Sequence, residues 1–587
     1  PPPADPRFPL PSAKAPMRYH VLASDYDGTL AADGRVEPAM LAALERVRAS
    51  GRKVLLVTGR QVDDLLTVFP QVTLFDRVVA ENGAVIYNPT TRESRALAEP
   101  PRADFVALLR KRGVEPLAVG QVIVATWQPH EATTLDVIRT LGLELQVIFN
   151  KGAVMVLPSG INKAFGLQAA LAELGLHAHN CVGVGDAEND HAFLAVCECA
   201  VAVANALPML KDRADLVTNG ARGDGVRELC DALVDGDLAA VGARLGRHDL
   251  TIGQTIADGQ PIKVAAYGPP LLITGTSGGG KSTLATTLLE ALNAAGYQYC
   301  VVDPEGDHNE IDGATVLGGA GHPPGVQEVL EVLATPGHNA IANLVGVSFS
   351  DRPAFLDALL PRLQELRART GRPHWIVVDE AHHLLPHDRP EVSSSFPAQA
   401  QNLVLITVHP EHVSTAVLRS VKLAIAIGAE PARTLAELAR ALGVSAPAVP
   451  VAELPRGEAL AWRPDQKTAP VRFKVDQPRA ERRRHIRKYA TGELGPDRSF
   501  YFRGPGDRLN LRAQNLAIFL QVADGVDDET WLFHLRRGDY ARWFRDSIKD
   551  AELAEQVAAV EASGADDPIA SRQRIRSAVE QRYTAPA

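Results

Sequence analysis

The chain has 587 residues, too many for one hydrophobic core, and a prior of roughly one domain per 150 residues predicts three to five domains. A net charge of -9 excludes a basic coat over the whole molecule, so nucleic acid has at most a local patch to bind. No run approaches the ~18 uninterrupted apolar residues of a membrane-spanning helix, and the five cysteines, odd in number and without CxxC spacing, support neither a disulfide framework nor a cysteine zinc site.

The opening stretch, Pro1 to Pro11, is rich in proline and lacks the apolar centre of a signal peptide, which predicts a disordered leader over residues 1–16 on a cytoplasmic protein. Tyr19 to Ser24 is then an extended apolar run that ends in Asp25-Tyr-Asp27-Gly-Thr-Leu30. Carboxylates two apart at the end of a strand point the same way in the pleat, and the C-terminal edge of the sheet is where α/β folds present their chemistry. A second run, Lys53 to Val57, ends in Thr58-Gly-Arg60. Further on, Lys163 stands near a helix start, and Cys181-Val-Gly-Val-Gly-Asp186-Ala-Glu-Asn189-Asp190 ends another strand in clustered carboxylates.

In this order the four motifs are similar to those of the haloacid dehalogenase (HAD) phosphatase superfamily, and the Glu81-Asn-Gly-Ala84 turn resembles its Cof-type members. The resemblance implies that Asp25 attacks phosphorus to form an aspartyl-phosphate, with Asp27 serving as acid and then base. It also implies that Asp25, Asp186 and the Asp27 carbonyl hold Mg²⁺, a hard ion that prefers oxygen ligands. Asn189 and Asp190 would orient that shell, and Thr58 and Lys163 would neutralise the transferring phosphoryl oxygens. Arg60 reads equally as a structural residue or a substrate contact. Residues 84–158 read as an inserted α+β unit, with strands at 84–87, 122–126 and 145–149 and helices at 103–111 and 131–141. An insertion here resembles a class II cap that closes over a small phosphate ester and excludes water. The whole machine is expected to span 17–235.

Residues 236–268 follow as a β connector, in which Asp249 to Ile256 and Pro261 to Ala266 flank a hairpin signal. Leu271 to Ile273 next enters the loop Gly275-Thr276-Ser277-Gly278-Gly279-Gly280-Lys281-Ser282-Thr283, and a helix-forming run leaves it. The glycines let successive backbone N–H groups turn onto one anion, Lys281 reaches the terminal phosphates, and Ser282 is placed to ligate Mg²⁺. Downstream, Trp375 to Val378 is an apolar strand followed by Asp379-Glu380. Asp379 would hold the Mg²⁺ shell and Glu380 would polarise water, which favours ATP hydrolysis over transfer to a bound acceptor. From about Ile252 to Leu442 the order resembles the HerA/FtsK-type ATPases, which implies a P-loop α/β domain over 269–475 and a hexamer with ATP at its interfaces. Val408 and His409 stand where that family usually has Gln or Arg.

The remainder, 476–587, reads as a helical interaction domain. Its basic run from Pro478 to Lys488 suits a solvated helix face or a phosphate-binding arm. Leu509 to Leu520 carries apolar residues at helical spacing, and Trp531 to Asp546 reads as two helices in which His534 packs or caps. The expected architecture is therefore an α/β multidomain chain with a HAD Rossmann-like sheet, an α+β cap, a P-loop NTPase domain and a helical C-terminal domain. The expected function is a bifunctional phosphohydrolase using Mg²⁺ and ATP on a small phosphorylated substrate, with no membrane partner. Two rivals are a nucleic-acid end-processing kinase/phosphatase and an ATP-gated assembly factor.

Overall fold

The computed structural model describes the chain except residues 1–16, 243–245, 388–400, 450, 467, 479–493, 495–498, 549, 564–566 and 584–587. The expected leader and almost all of the basic run lie outside the described residues. The chain divides into two compact units, Pro1–Asp476 and Gln477–Ala587.

The first unit starts with β1 (Val21–Ser24), β2 (Lys53–Val57), β3 (Arg77–Ala80), β4 (Val85–Asn88) and β5 (Glu93–Ala96). The chain then leaves for a small sheet of β6 (Ala118–Val119), β7 (Val124–Trp127), β8 (Leu145–Asn150) and β9 (Ala153–Pro158), and returns with β10 (Cys181–Gly185), β11 (Cys199–Ala202) and β12 (Leu216–Val217). The main sheet runs β12-β11-β10-β1-β2-β3-β4-β5. Its central strands are parallel and, apart from Lys53 at the start of β2, buried, which is why they read as apolar runs of Val, Leu, Ala, Cys and Gly. Helices Pro38–Ala49 and Arg222–Gly236 supply buried apolar faces to this core.

The inserted unit begins later than the sequence suggested. Val85–Asn88 pairs antiparallel with both β3 and β5, so it extends the main sheet and does not belong to the cap. The cap proper is the antiparallel sheet β6-β7-β9-β8 with helices Ala103–Lys111 and Glu131–Thr140, packed around Phe105, Leu109, Val137 and Val156.

The second sheet consists of β13 (Leu250–Thr255), β14 (Pro261–Val264), β15 (Leu271–Gly275), β16 (Tyr299–Asp303), β17 (Ala314–Leu317), β18 (Asn339–Asn343), β19 (Trp375–Val378), β20 (Leu403–Thr407), β21 (Leu423–Ile427), β22 (Glu458–Trp462) and β23 (Val471–Val475). Their order is β14-β13-β23-β22-β21-β15-β20-β19-β16-β18-β17, parallel from β21 to β17 and antiparallel on the other side. The connector is therefore no separate module. Its β13 pairs with β23 through Gly253↔Val475, closing the antiparallel edge of the nucleotide-loop sheet.

The two sheets meet through the residues that precede their parallel strands. Asn180 and Glu198 stand just before β10 and β11, while Tyr297 and His374 stand just before β16 and β19. Tyr297 Oη donates to Glu198 Oε2 at 2.8 Å, and His374 Nε2 donates to Asn180 Oδ1 at 3.0 Å. Arg372 Nη2 donates to the Gly175 carbonyl at 2.6 Å, and the His179 ring stacks on Tyr297 at 3.8 Å. Because these contacts join N-terminal strand edges, the two C-terminal edges, where chemistry is presented, face away from each other.

The second unit is mainly helical, with helices Leu516–Gly525, Asp528–Leu535, Asp539–Asp546, Ala551–Ser563 and Pro568–Tyr583. The first of these starts seven residues after Leu509, because Asn515 caps it by accepting from Ile518 N at 2.8 Å and Leu511–Ala513 pairs as a strand with Phe500–Phe502. His534 is a packing residue: Nε2 accepts from Arg503 N at 3.0 Å and Nδ1 donates to Asp539 Oδ2 at 2.9 Å. Among the described residues no helix is long and apolar enough to cross a membrane.

Candidate functional site

Two sites stand at the opposite strand ends. In the first, Asp25, Thr58 and Asp186 directly follow the adjacent strands β1, β2 and β10, so the register that aligns Ser24 with Val184 and with Leu56 also brings their side chains to one edge. Carboxylate oxygens of Asp25, Asp186 and Asp190 lie within 4.8 Å of one another. Into them reaches Lys163, 1% exposed, whose Nζ donates to Asp25 Oδ1 and to Asp190 Oδ1, each at 2.6 Å. Burial pushes the Asp25 carboxyl up to about 7, with Asp190 adding to the rise and Lys163 opposing it. Burial pulls Lys163 down, yet Asp190 and Asp25 together hold its ammonium above the usual range.

Lys163 is held by a backbone device. Glu81, Asn82 and Gly83 all have positive φ, and a Cβ on Gly83 would sit 1.9 Å from the Asn162 carbonyl oxygen, so only glycine lets this turn press on the helix start. The Asn162 side chain caps that helix by accepting from Phe165 N at 3.1 Å. Glu81, which the sequence marked only as part of a turn, accepts from Gln121, Val122 and Ile123 backbone N–H groups at 2.8 to 2.9 Å. One side chain thus ties the turn between β6 and β7 of the cap to the edge that carries the site.

The remaining residues divide. Asp27 is gripped by Arg60 through two 2.7 Å bonds, Nε to Oδ2 and Nη2 to Oδ1, so Arg60 is a partner of the carboxylate. Thr58 is buried, and its hydroxyl oxygen accepts from Arg60 N at 3.1 Å. Asp190 Oδ2 accepts from the Asp186 and Ala187 N–H groups, at 2.8 and 2.9 Å, which fixes the turn that carries Asp186. Asn189 donates to Asn82 Oδ1 at 3.0 Å, leaving its own Oδ1 buried without a partner. The cap contributes a residue that sequence reasoning missed. Lys151, at the tip of the β8–β9 hairpin with φ +48°, donates from Nζ to Asp186 Oδ2 at 2.8 Å and to the Asp27 carbonyl at 3.3 Å. Asp186 and the Asp27 carbonyl thus accept a cationic donor from the chain itself, and their oxygens are of the hard type that a metal such as Mg²⁺ prefers.

The second site opens at the ends of β15, β16, β19 and β20. Gly275, Gly278 and Gly280 have positive φ, and a Cβ on Gly275 would meet the Ile427 carbonyl at 1.8 Å. The loop Gly275 to Gly280 leads into the helix Lys281–Ala294, giving an anion cradle at a helix start. Lys281 Nζ donates to the Thr276 carbonyl at 3.2 Å, and burial lowers its pKa. Ser277 and Gly278 are exposed at the loop tip, with Gly279, Ser282 and Thr283 half-buried behind it. Ser282 Oγ donates to Asp307 Oδ2 at 2.8 Å. Asp303 organises that acidic loop by accepting from the N–H groups of residues 305 to 308, at 2.7 to 3.2 Å. His308, fully buried, then bonds through Nε2 to Asp379 Oδ2 at 3.0 Å. Asp307 and His308 thereby link Ser282 to Asp379, a connection the sequence did not reveal. Glu380 has φ +42°, and one of its oxygens, Oε2, is buried without a hydrogen-bond donor. Burial pushes this carboxyl up to about 7, with Asp379 and Glu305 adding to the rise. Ser282, Asp307 and Asp379 offer the oxygen donors a Mg²⁺ shell needs.

The comparisons with known proteins agree with this division. Residues 22–131 and 137–229 match the family model described as haloacid dehalogenase-like hydrolase, and residues 266–417 match that of an AAA domain. Phosphoglycolate phosphatase 2 of Saccharolobus solfataricus is 30% identical over 226 residues, which cover 37% of this chain and 93% of that protein. The phosphoglycolate phosphatase of Methanothermobacter thermautotrophicus is 29% identical over 217 residues, covering 35% and 95% respectively. That of Halorubrum lacusprofundi is 31% identical over 214 residues, covering 35% and 92%.

Proposed function

The chain belongs to the haloacid dehalogenase-like hydrolases through residues 22–229 and carries an AAA domain after them; from that premise we propose a Mg²⁺-dependent phosphatase fused to an ATP-hydrolysing module, each head working alone. The substrate is a small phosphate ester, phosphoglycolate or a compound of that size. The single observation that carries the reading is the buried set Asp25, Lys163, Asp186 and Asp190 beneath a cap whose Lys151 enters the same space.

In the phosphatase head, Asp25 attacks phosphorus and the leaving alkoxide takes a proton from Asp27. Asp27 must release Arg60 before it can carry that proton, so the double ion pair sets the resting position of the acid. In the second step Asp27 takes a proton from water, which attacks the aspartyl-phosphate and frees phosphate. Lys163 and Thr58 face the phosphoryl oxygens, Asp190 and Asn189 hold the Asp186 turn, and the cap excludes bulk water. A Mg²⁺ ion held by Asp25, Asp186 and the Asp27 carbonyl would supply charge neutralisation at phosphorus.

In the second head the loop from Gly275 to Thr283 cradles the phosphates with backbone N–H groups at the start of its helix, and Lys281 supplies the charge. Ser282 and Asp379 would hold Mg²⁺, and Glu380 would draw a proton from the attacking water. A ring of HerA/FtsK type with ATP between subunits remains part of this proposal, and sizing the protein with and without ATP tests it. The opposed strand edges argue against an end-processing enzyme that hands one substrate from head to head.

The test is a phosphate-release screen over phosphoglycolate, sugar phosphates, nucleotides and phosphorylated DNA ends, with wild type and Asp25→Asn. Release from small esters, lost in the variant, supports the reading; release only from DNA ends would overturn it.

A further inference from the structure

Five imidazoles stand in one continuous row at the exit of β19 and β20. Ring centroids step from His383 to His382 at 4.0 Å, to His409 at 5.4 Å, to His412 at 5.1 Å and to His387 at 6.0 Å. Two chain segments build the row, and they are laced together by their backbones. Pro386 bridges Val413, His387 N donates to the His412 carbonyl at 2.9 Å, and Ser414 N donates to the Leu385 carbonyl at 2.9 Å. The ATP reading assigns no task to these side chains.

At the outer end the donors converge. His409 Nδ1 lies 3.3 Å and His412 Nε2 3.9 Å from the same oxygen, Glu411 Oε1, and the three ligand atoms lie within 4.8 Å of one another. The other Glu411 oxygen, Oε2, is buried without a hydrogen-bond partner. Both histidines are half exposed, so a cation has a path to them.

We propose that His409, Glu411 and His412 bind a divalent transition-metal ion of the zinc class, at a site distinct from both oxygen-ligand Mg²⁺ sites. Two imidazoles and a carboxylate make a donor set that suits Zn²⁺, Co²⁺ or Ni²⁺ and is poor for Mg²⁺. The site also has a route to the hydrolytic centre. His382 packs against His409, and its Nδ1 lies 3.0 Å from Thr407 Oγ1 and 3.3 Å from Glu380 Oε2. A metal at His409 would fix the loop that supports His382, and through it the position of Glu380.

The experiment uses full-length protein without a polyhistidine tag, stripped of metal and then held in excess Mg²⁺ so that the oxygen sites are saturated. Co²⁺ is titrated by calorimetry and by visible absorption, and Zn²⁺ is added to displace it. One Co²⁺ per chain with an imidazole-ligand spectrum is expected. Glu411→Gln and His412→Ala, in the single helical turn Pro410–His412 and checked for folding by melting, should each weaken binding by roughly tenfold or more. Wild-type affinity and spectrum in both folded variants, or no Co²⁺ binding in excess Mg²⁺, would overturn the proposal.

Discussion

The two heads use the same materials, carboxylates at the C-terminal ends of parallel strands, yet they balance charge in different ways. In the phosphatase head each key carboxylate already has a cation from the chain: Asp25 has Lys163, Asp27 has Arg60, and Asp186 has Lys151. In the nucleotide head Glu305, Asp307, Asp379 and Glu380 crowd together, and Lys281 is the cation whose field opposes them at Glu380. The first site is assembled before any ligand arrives. The second leaves an excess of negative charge, a buried carboxylate oxygen without a donor and a raised Glu380 pKa, so ligands must complete it.

The hardest blow to this contrast is Asp25→Asn. It should cut phosphatase turnover by roughly 10⁴-fold or more and leave ATPase activity as it was, because the heads are joined at their inert edges. Loss of both activities in a folded variant would contradict independent sites. Next in size is Lys163→Met, which strands Asp25 and Asp190 in the interior without their shared cation; destabilisation of about 3–5 kcal/mol is expected from denaturant unfolding. If its midpoint stayed at the wild-type value, the site would not be held together by charge.

The nucleotide head should behave the other way and gain stability from its ligand. Mg²⁺ with ATP at about 100 times Kd should stabilise it by about 2.7 kcal/mol, read as a rise in melting temperature. Lys281→Ala should erase that rise while phosphatase rate stays within about twofold. An equal rise in the variant would show that the loop is not where ATP acts.

A further test probes the seam between the heads. Burial holds His177 down to about 3 and His374 well below the usual range. Their unfolded forms therefore bind protons first, so the stability they contribute is complete above about pH 6.5 and is lost on descending from there, at up to about 1.4 kcal/mol per pH unit for each. Glu198, which burial would raise but which His179 and Arg18 hold down to about 2, adds a loss in the same direction below about pH 4.5. Melting temperatures measured from pH 7 to pH 5 should fall; a flat profile would mean that the histidines are not buried neutral at this seam.

Local signals carried much of this to the sequence reader. Asp25, Thr58, Asp186 and Asp379 each follow an apolar strand, and Gly275 to Ser282 spell their own loop, so a strand end and a turn were enough to find them. What escaped was set by partners distant in sequence. Arg60 meets Asp27 from the next strand, Lys151 arrives on a cap hairpin, and Asp307 closes on Ser282 from another loop. The cap boundary slipped because Val85–Asn88 looks the same whether its partners are β3 and β5 or a new sheet. The histidine row was invisible because its two segments are brought together by backbone bonds that no periodicity announces.

The edge pairing of β13 with β23 also decides where the protein can be cut. A clone of the nucleotide head begun at Pro269 would discard β13 and β14 and leave the backbone of β23 bare beside the buried ring of Phe473. Such an uncovered margin invites a strand from a neighbouring molecule, and insoluble material follows. The workable boundary lies upstream of Leu250, which means that the ribbon leaving one enzyme is already a structural stave of the next.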